Sequence, residues 1–279
     1  MKFLKTLSLA LCLLIMACKT DKKSETESES DVEKEIMEVE MDSEDEAKEV
    51  ESQVAIHPIS HGTLALEYKD VVFYVDPVGG AEAFEGQKPP TLILVTDIHG
   101  DHLNVETLQA VKTANSKIIA PQAVVDQLPD DLKAQASILS NFESKNYTIG
   151  DAKLTIEAIP MYNLREEALK FHPKNRGNGY VLTLGEERVY ISGDTEDIPE
   201  MRNLKDIDIA FVCMNLPYTM TVESAADAVL DFKPKKVYPY HYRGTEGLSD
   251  VDSFKSMVNE ADNSIEVALV DWYDNSDEL

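Results

Sequence analysis

The feature that most constrains this chain is an apolar run that leads directly into a cluster of metal-capable side chains. Residues 91–95 are apolar after the initial threonine, and residues 97–102 then supply Asp97, His99, Asp101 and His102. A short, continuous apolar run of this kind is typical of a buried strand. Side chains at the end of such a strand project into the crevice where α/β proteins bind ligands. The segment therefore predicts a site for one or two divalent metal ions.

A simpler interpretation of the segment is a polar turn that caps the next helix, with Asn104 as the N-cap before Val105. A cap needs only one or two polar side chains, whereas this turn has two imidazoles and two carboxylates. Nitrogen and carboxylate donors at close spacing suit zinc, manganese or iron, while calcium sites use oxygen donors. The donor types favour the metal site.

Two later strands also end in a potential metal ligand. Asp194 follows the run 188–192 and a glycine, and His241 follows the run 236–240. Taken singly, Asp194 is equally consistent with an Asx turn and His241 with a capped core histidine. Three strands that each end in a metal-capable side chain favour one shared site.

The three segments together resemble the metallo-β-lactamase-fold hydrolases, whose cluster reads H-x-H-x-D-H. The resemblance covers roughly residues 54–279 and is nearest to the branch that includes ascorbate-phosphate lactonase and N-acyl-phosphatidylethanolamine phospholipase. Further matching segments are residues 75–77, 171–174, 177–180, 191–195 and 240–242. The resemblance implies an α+β fold, a four-layer αββα sandwich with the metals at the edge between its two sheets.

The resemblance also implies two sets of metal ligands. His99 belongs to the first metal. The second metal is bound by Asp101, His102 and His241. Asp194 bridges the two ions.

The chain departs from the family at two positions of the first metal. Asp97 stands where the family has its first cluster histidine, and Asn163 stands where many relatives have a further histidine ligand. Asp97 remains in the predicted ligand set, and its carboxylate shifts the preference from zinc towards manganese or iron without excluding zinc. His172 either replaces the missing ligand or faces the substrate.

Charge balance predicts two divalent metal ions, with zinc foremost and manganese or iron as alternatives. Three carboxylates (Asp97, Asp101 and Asp194) and a hydroxide shared by the metals balance two divalent cations, whereas one cation would leave buried charge uncompensated. The implied reaction is hydrolysis of a small ester, lactone, amide or phosphodiester by the metal-bridged hydroxide. The predicted catalytic residues are Asp194, as the bridge, and Asp101, as a proton carrier.

Residues around the cluster are predicted to bind the substrate, namely His61, Tyr162, Asn163, His172, Lys174 and Arg176. Arginine and lysine pair well with carboxylate or phosphate groups, but a solvated loop explains Lys174 and Arg176 equally well. Cys213 lies in an apolar run and is expected to be a core residue, not a nucleophile.

The N-terminal sequence is typical of a bacterial lipoprotein. Residues 1–17 combine a basic start with an apolar stretch too short to span a bilayer, as in a secretory signal. Residues 14–18 resemble the lipoprotein cleavage box, so Cys18 is the expected site of lipidation; a signal with an incidental cysteine is the alternative. The expected location is the bacterial cell envelope, with the chain anchored to a membrane by lipid at the periplasmic face or the cell surface.

Residues 18–53 predict a disordered acidic linker before a hydrolase domain at 54–279. Residues 19–53 hold fifteen acidic residues, five lysines and no proline, glycine or aromatic residue, so they lack the apolar surface needed to offset ordering. The linker is either a spacer or a surface-export signal. The net charge of −26 excludes nucleic acid as a partner, because binding its phosphates requires a basic surface.

Hydrophobic patterning predicts a mixture of short strands and amphipathic helices. The predicted strands lie near 63–68, 71–75, 91–95, 117–120, 153–159, 180–184, 188–192, 208–212, 236–240 and 265–270, and the predicted helices at 104–114, 121–128, 221–231 and 250–260.

Three classes of function remain. The leading one is a metal-dependent hydrolase of a small-molecule substrate. The alternative is a non-catalytic metal-binding or substrate-binding lipoprotein with a degenerate first metal site, and the third is a di-iron redox protein. The complete second ligand set favours the hydrolase, and the sequence carries no signal for an oligomeric state.

Overall fold

The computed structural model describes residues 52–273. The predicted signal peptide, the lipidation site Cys18 and almost all of the acidic linker lie outside the described residues. The longest helices of the described part have 11 residues, and none of its helices is long and apolar enough to cross a membrane.

The first sheet has six strands, which lie side by side in the order of the chain. The first three pair antiparallel and the last three continue in parallel. They are β1 (Val54–Ser60), β2 (Thr63–Tyr68), β3 (Val71–Val75), β4 (Leu92–Leu94), β5 (Lys117–Ala120) and β6 (Ala136–Ile138).

Short helices cover the outer face of this sheet. They are α1 (Val105–Val111), α2 (Gln122–Gln127) and α3 (Asp130–Lys133). Asn104 caps α1, because its side chain accepts a hydrogen bond from the Thr107 N–H. Side chains alternate across the sheet: Ile93 packs with Leu108 on the helix side, whereas Leu92 belongs to the core on the other face.

The second sheet has seven strands. They are β7 (Ser144–Ile149), β8 (Ala152–Met161), β9 (Gly177–Leu184), β10 (Glu187–Ile191), β11 (Ile209–Cys213), β12 (Lys236–Tyr240) and β15 (Glu266–Val267). Strands β7 to β10 pair antiparallel, and β10, β11, β12 and β15 pair in parallel. The helices of this half are α4 (Pro199–Arg202), α5 (Val222–Phe232) and α6 (Val251–Ala261), and a small ribbon joins β13 (Arg243–Gly244) to β14 (Gly247–Leu248).

One apolar core joins the two sheets and continues to α5 and α6. It contains Phe73 of the first sheet, Leu182 of the second and Phe232 of α5, and burying each such side chain contributes about 1.5–3 kcal/mol. The Tyr180 hydroxyl crosses between the sheets and donates to the Val95 carbonyl at 2.8 Å. Helices therefore cover both sheets of a sandwich, and the predicted α+β fold with αββα layers is confirmed.

Hydrophobic patterning did not predict the strands that lie at sheet edges or whose apolar pattern is interrupted. Pro58 breaks the apolar pattern of β1, and β7 is mostly exposed, so alternation provides little signal for it. The predicted strand at 265–270 shortens to Glu266–Val267. Helices α3 and α4 have only four residues each.

Candidate metal centre

The ends of strands β3, β4, β10, β11 and β12 come together at one edge of the sandwich. The Asn178 N–H, on the second sheet, donates to the Thr96 carbonyl just after β4, which holds the two sheets together there. The loops that follow β4, β10 and β12 carry six of the candidate metal donors, which are therefore attached to the ends of buried strands. The other two, His61 and His172, lie in the loops after β1 and β8.

Three groups of donors meet at this edge, each with its ligand atoms within 4.8 Å of one another. The first group is Asp97, His99 and His172. The other two groups share His241 and together form the second group, made of His61, Asp101, His102, Asp194 and His241.

The second group has the spacing of ligands around one ion. His102 Nε2 lies 3.2 Å from His241 Nε2 and 3.3 Å from Asp194 Oδ2. His241 Nε2 lies 3.4 Å from Asp194 Oδ1 and 3.4 Å from Asp101 Oδ2. Tetrahedral zinc with bonds of about 2.0–2.1 Å requires its ligands to be about 3.3–3.4 Å apart. His102, Asp194 and His241 fit such an ion, and Asp101 lies beside them, with its Oδ1 3.9 Å from His102 Nε2.

His102 is oriented by a carboxylate behind it. Its Nδ1 lies 2.8 Å from Asp76 Oδ2, and Thr96 donates to the same carboxylate from its backbone N–H at 2.7 Å and its hydroxyl at 2.6 Å. An ionised Asp76 carboxylate can only accept hydrogen bonds. It therefore keeps the ring proton of His102 on Nδ1 and leaves Nε2 free to bind a metal.

His241 is held from two sides. Its Nδ1 lies 2.9 Å from the side-chain nitrogen Nδ2 of Asn215, whose Oδ1 accepts a hydrogen bond from the Thr219 hydroxyl, so the amide fixes the orientation of the ring. On the other side, a Cβ on Gly62 would come within 2.7 Å of His241 Cδ2. His241 itself has a left-handed backbone, with φ of 48°.

His61 and Asp101 lie on the open side of the second group. His61 Nδ1 lies 2.6 Å from the Tyr273 hydroxyl, and its Nε2 lies 3.5 Å from Asp101 Oδ2. The His61 ring is 3.8 Å from that of His241, centroid to centroid. The Asp101 side chain is 44% exposed, which marks the entrance to the site.

The first group is completed by His172. His99 Nδ1 lies 3.0 Å from Asp97 Oδ2, and His172 Nε2 lies 4.0 Å from the same oxygen and 3.2 Å from Asp194 Oδ2. His172 is buried, with its Nδ1 3.1 Å from the Tyr218 carbonyl. His172 therefore lies with Asp97 and His99, which fits its prediction as a replacement ligand; the alternative of a substrate contact stays a prediction.

The other predicted substrate-binding residues lie in different surroundings. The Asn163 amide is buried and donates to the carbonyls of Ala168 and Tyr218, so it has a structural role in the loop. Lys174 contacts Tyr162 and Glu200, away from the donor groups. Arg176 pairs with Asp97, so its guanidinium is already engaged inside the first group.

Burial and neighbouring charges prepare the donors for metal. Burial lowers the pKa of His61 and of His99 in spite of nearby carboxylates, so both rings are neutral at neutral pH. Burial alone would raise the pKa of Asp194, but the charges of His241 and His102 outweigh it and hold the pKa well below its usual range. The Asp194 carboxylate is therefore ionised.

Two buried ligand atoms lack a hydrogen bond among the described residues. They are His172 Nε2, which lies 3.2 Å from Asp194 Oδ2, and Asp194 Oδ1, which lies 3.4 Å from His241 Nε2, in neither case with the geometry of a hydrogen bond. A buried polar atom without a partner is costly, and an ion bound there would satisfy both. This observation supports a metal at the site independently of the donor spacing.

The side chains that orient the histidines have no direct signal in the sequence. Asp76, Thr96 and Asn215 lie in different loops and have no motif of their own, and only the proximity of Asp76 to a strand end hinted at a role. Cys213 is buried as expected, and burial raises the pKa of its thiol to about 12, which excludes it as a nucleophile at neutral pH.

Comparison with known proteins places this geometry in a family. The Beta-lactamase superfamily domain matches residues 73–242. A UPF0173 metal-dependent hydrolase from Pyrobaculum islandicum is 32% identical over 187 residues, which is 65% of this chain and 78% of the relative. Its counterpart from Pyrococcus horikoshii is 29% identical over 181 residues, or 63% of this chain and 77% of the relative.

Solved structures show the same fold. A crystal structure from Parabacteroides distasonis ATCC 8503, named as a metal-dependent hydrolase, is 40% identical with a TM-score of 0.67, and covers 77% of this chain and 92% of that chain. Igni18, a metallo hydrolase from Ignicoccus hospitalis, matches with a TM-score of 0.63 at 20% identity over 78% of this chain and 95% of that chain, which supports the fold alone.

Proposed function

The chain belongs to the metallo-β-lactamase superfamily, within the UPF0173 metal-dependent hydrolases, and we propose that it hydrolyses a small ester, lactone, amide or phosphodiester with two divalent ions. The observation that carries the proposal is the convergence of two donor groups on Asp194. Its two carboxylate oxygens lie 3.4 Å from His241 and 3.2 Å from His172, one in each group. A carboxylate in this position is suited to bridge two ions.

Bound ions would supply a Lewis acid and a source of hydroxide at neutral pH. The first ion would be held by Asp97, His99 and His172, and the second by Asp101, His102 and His241. Each of these sets has two histidines and one aspartate, which suits zinc, and manganese or iron are alternatives at the first, where Asp97 stands in place of a histidine.

Asp101 is suited to move a proton near the entrance. Burial tends to raise its pKa, but hydrogen bonds to His241 and His61 and the charge of His102 lower it far below its usual range. Asp101 is thus ionised but a weak base, so a proton that reaches its Oδ2 would pass on to His61 Nε2, which lies 3.5 Å away. Tyr273 holds the His61 ring for this transfer.

The mouth of the site favours a substrate with an apolar part. Four partly exposed apolar side chains lie on the two loops beside His172: Leu164, Leu169, Leu216 and Tyr218. The loops are joined where the Asn163 amide donates to the Tyr218 carbonyl at 2.6 Å. In the same region Arg176 and Lys174 are paired with carboxylates. Because the exposed side chains are apolar and the two cations are already paired, the region favours an ester, lactone or amide over an anionic phosphodiester.

The chain is further proposed to act as a lipoprotein of the bacterial cell envelope, anchored through Cys18, with the acidic linker as a spacer. The same proposal places the chain in the branch that includes ascorbate-phosphate lactonase and N-acyl-phosphatidylethanolamine phospholipase. The alternative of a non-catalytic binding lipoprotein rested on a degenerate first site, and the position of His172 in that group argues against it.

The proposal is tested with the purified full-length chain, stripped of metal and reloaded with zinc, manganese or ferrous iron. Hydrolysis of nitrophenyl esters, lactones, anilides and bis(nitrophenyl) phosphate is then measured. We expect metal-dependent turnover, strongest with the apolar esters, and its loss in His102→Ala and Asp194→Ala. Asp151→Ala, an exposed carboxylate, is the control. Unchanged turnover in either site variant contradicts the mechanism.

A further inference from the structure

The first donor group already contains a cation from the protein itself. Arg176 binds Asp97 through both arms of its guanidinium, with Nε 2.9 Å from Oδ1 and Nη2 2.6 Å from Oδ2. The same Nη2 lies 3.3 Å from His99 Nε2 and donates to the Phe171 carbonyl. The guanidinium is therefore fixed at four points beside the ligand atoms.

Burial makes this pair strong. The Asp97 side chain is fully buried and that of Arg176 is only 17% exposed. A bidentate arginine–carboxylate pair is the strongest kind of ion pair, and poor solvent access weakens screening by water and salt. Arg176 thus neutralises Asp97 whether or not metal is present.

The second group differs in this respect. Its carboxylates, Asp101 and Asp194, are paired with histidines, which lose their charge when they bind metal. The full charge of Asp101 and a share of that of Asp194 therefore remain for an ion in the second group. In the first group, Asp97 has already been neutralised, and only the share of Asp194 is left.

The Arg176–Asp97 pair weakens the binding of a metal ion to the first group but does not prevent it. Asp97 Oδ2 has two lone pairs: one accepts from Arg176, and the other faces His99 Nδ1 at 3.0 Å and His172. An ion there would keep its three protein ligands. It would also lie within a few ångströms of the guanidinium charge, which repels it.

We propose that Arg176 is a resident counter-cation of the first donor group, which lowers the metal affinity of that group so that the second group fills first. This inference rests on the proposed function, because it assumes that both groups bind metal. In this role Arg176 does not bind metal itself; its charge sets the order in which the two groups take up ions.

The test is a zinc titration of the metal-free full-length chain in competition with a chromophoric chelator, which reports affinity and stoichiometry without any substrate. We expect a tight first equivalent and a second that is weaker by at least about tenfold. Arg176→Met removes the cation and should tighten the second equivalent by at least about tenfold. Lys174→Met removes a cation that contacts Glu200 instead and should behave as the wild type.

A second variant covers the case in which Arg176→Met does not fold without metal. Arg176→Gln removes the charge but can still donate a hydrogen bond to Asp97, and it should tighten the second equivalent in the same way. A second equivalent that is unchanged or weaker in Arg176→Gln overturns the inference. Two equally tight equivalents in the wild type also overturn it, but leave the two-metal hydrolase standing. No zinc binding in any variant overturns both proposals.

Discussion

Replacing Asp76 with asparagine should disable the second metal site while leaving the fold intact. Asp76 accepts three hydrogen bonds, two from Thr96 and one from His102 Nδ1. Its backbone is left-handed, with φ of 44°, a conformation that asparagine tolerates as well as aspartate does. The substitution therefore changes one oxygen to an NH2 group and little else.

That change reverses the hydrogen bond to His102. If the amide oxygen stays on the Thr96 N–H, the NH2 group faces His102 Nδ1, which must then be unprotonated to accept a hydrogen bond from it. The ring proton moves to Nε2, the atom that points at His241 and Asp194. Loss of such a partner lowers metal affinity by about ten- to a hundredfold, or about 1.4 to 2.7 kcal/mol.

The measurement is the zinc affinity of Asp76→Asn by chelator competition, with circular dichroism to check the fold. Asp206→Asn is the matched control, since Asp206 also has a left-handed backbone, with φ of 54°, but is exposed and far from the donors in the fold. Equal zinc affinity in the two variants refutes the role assigned to Asp76.

Two further predictions use other parts of the chain. Gly62→Ala should weaken zinc binding, because the new methyl group would push against His241, whereas Gly100→Ala has open space around it and should bind zinc normally in the same titration. Equal losses in both variants would contradict this. Cys18→Ala should move the chain from the membrane fraction to the soluble fraction of the cells, as judged by immunoblotting; continued membrane association would exclude lipidation as the anchor.

Strand periodicity was enough to predict most of the sheets. The runs that became β2, β3, β5 and β12 are apolar and centrally placed, so their burial could be inferred with their boundaries. The edge strand β7 could not, because it has one face in solvent and an almost wholly polar sequence. Its place is set by pairing with β8, which is a tertiary contact.

The donor site was predictable where ligands follow strands and less so elsewhere. Asp194 and His241 could be grouped with the cluster at 97–102 because the ends of parallel strands meet at one edge of a sheet. His172 and Arg176 lie in a long loop whose path depends on contacts such as that between His172 and the Tyr218 carbonyl. No sequence spacing encodes that path, so the sequence could not choose between ligand and substrate contact for His172 and did not predict the pairing of Arg176 with Asp97.

The sharing of donors between the two sheets has a consequence for folding. An ion in the second group would connect His102, after a strand of the first sheet, to His241, after a strand of the second, 139 residues later. Closing so long a loop removes much of the freedom of the unfolded chain, as a disulfide would. The described residues contain one cysteine, Cys213, which is buried and unpaired. A bound ion would thus take the place of a covalent cross-link, and metal supply would then govern the resistance of this protein to unfolding and proteolysis as well as its proposed activity.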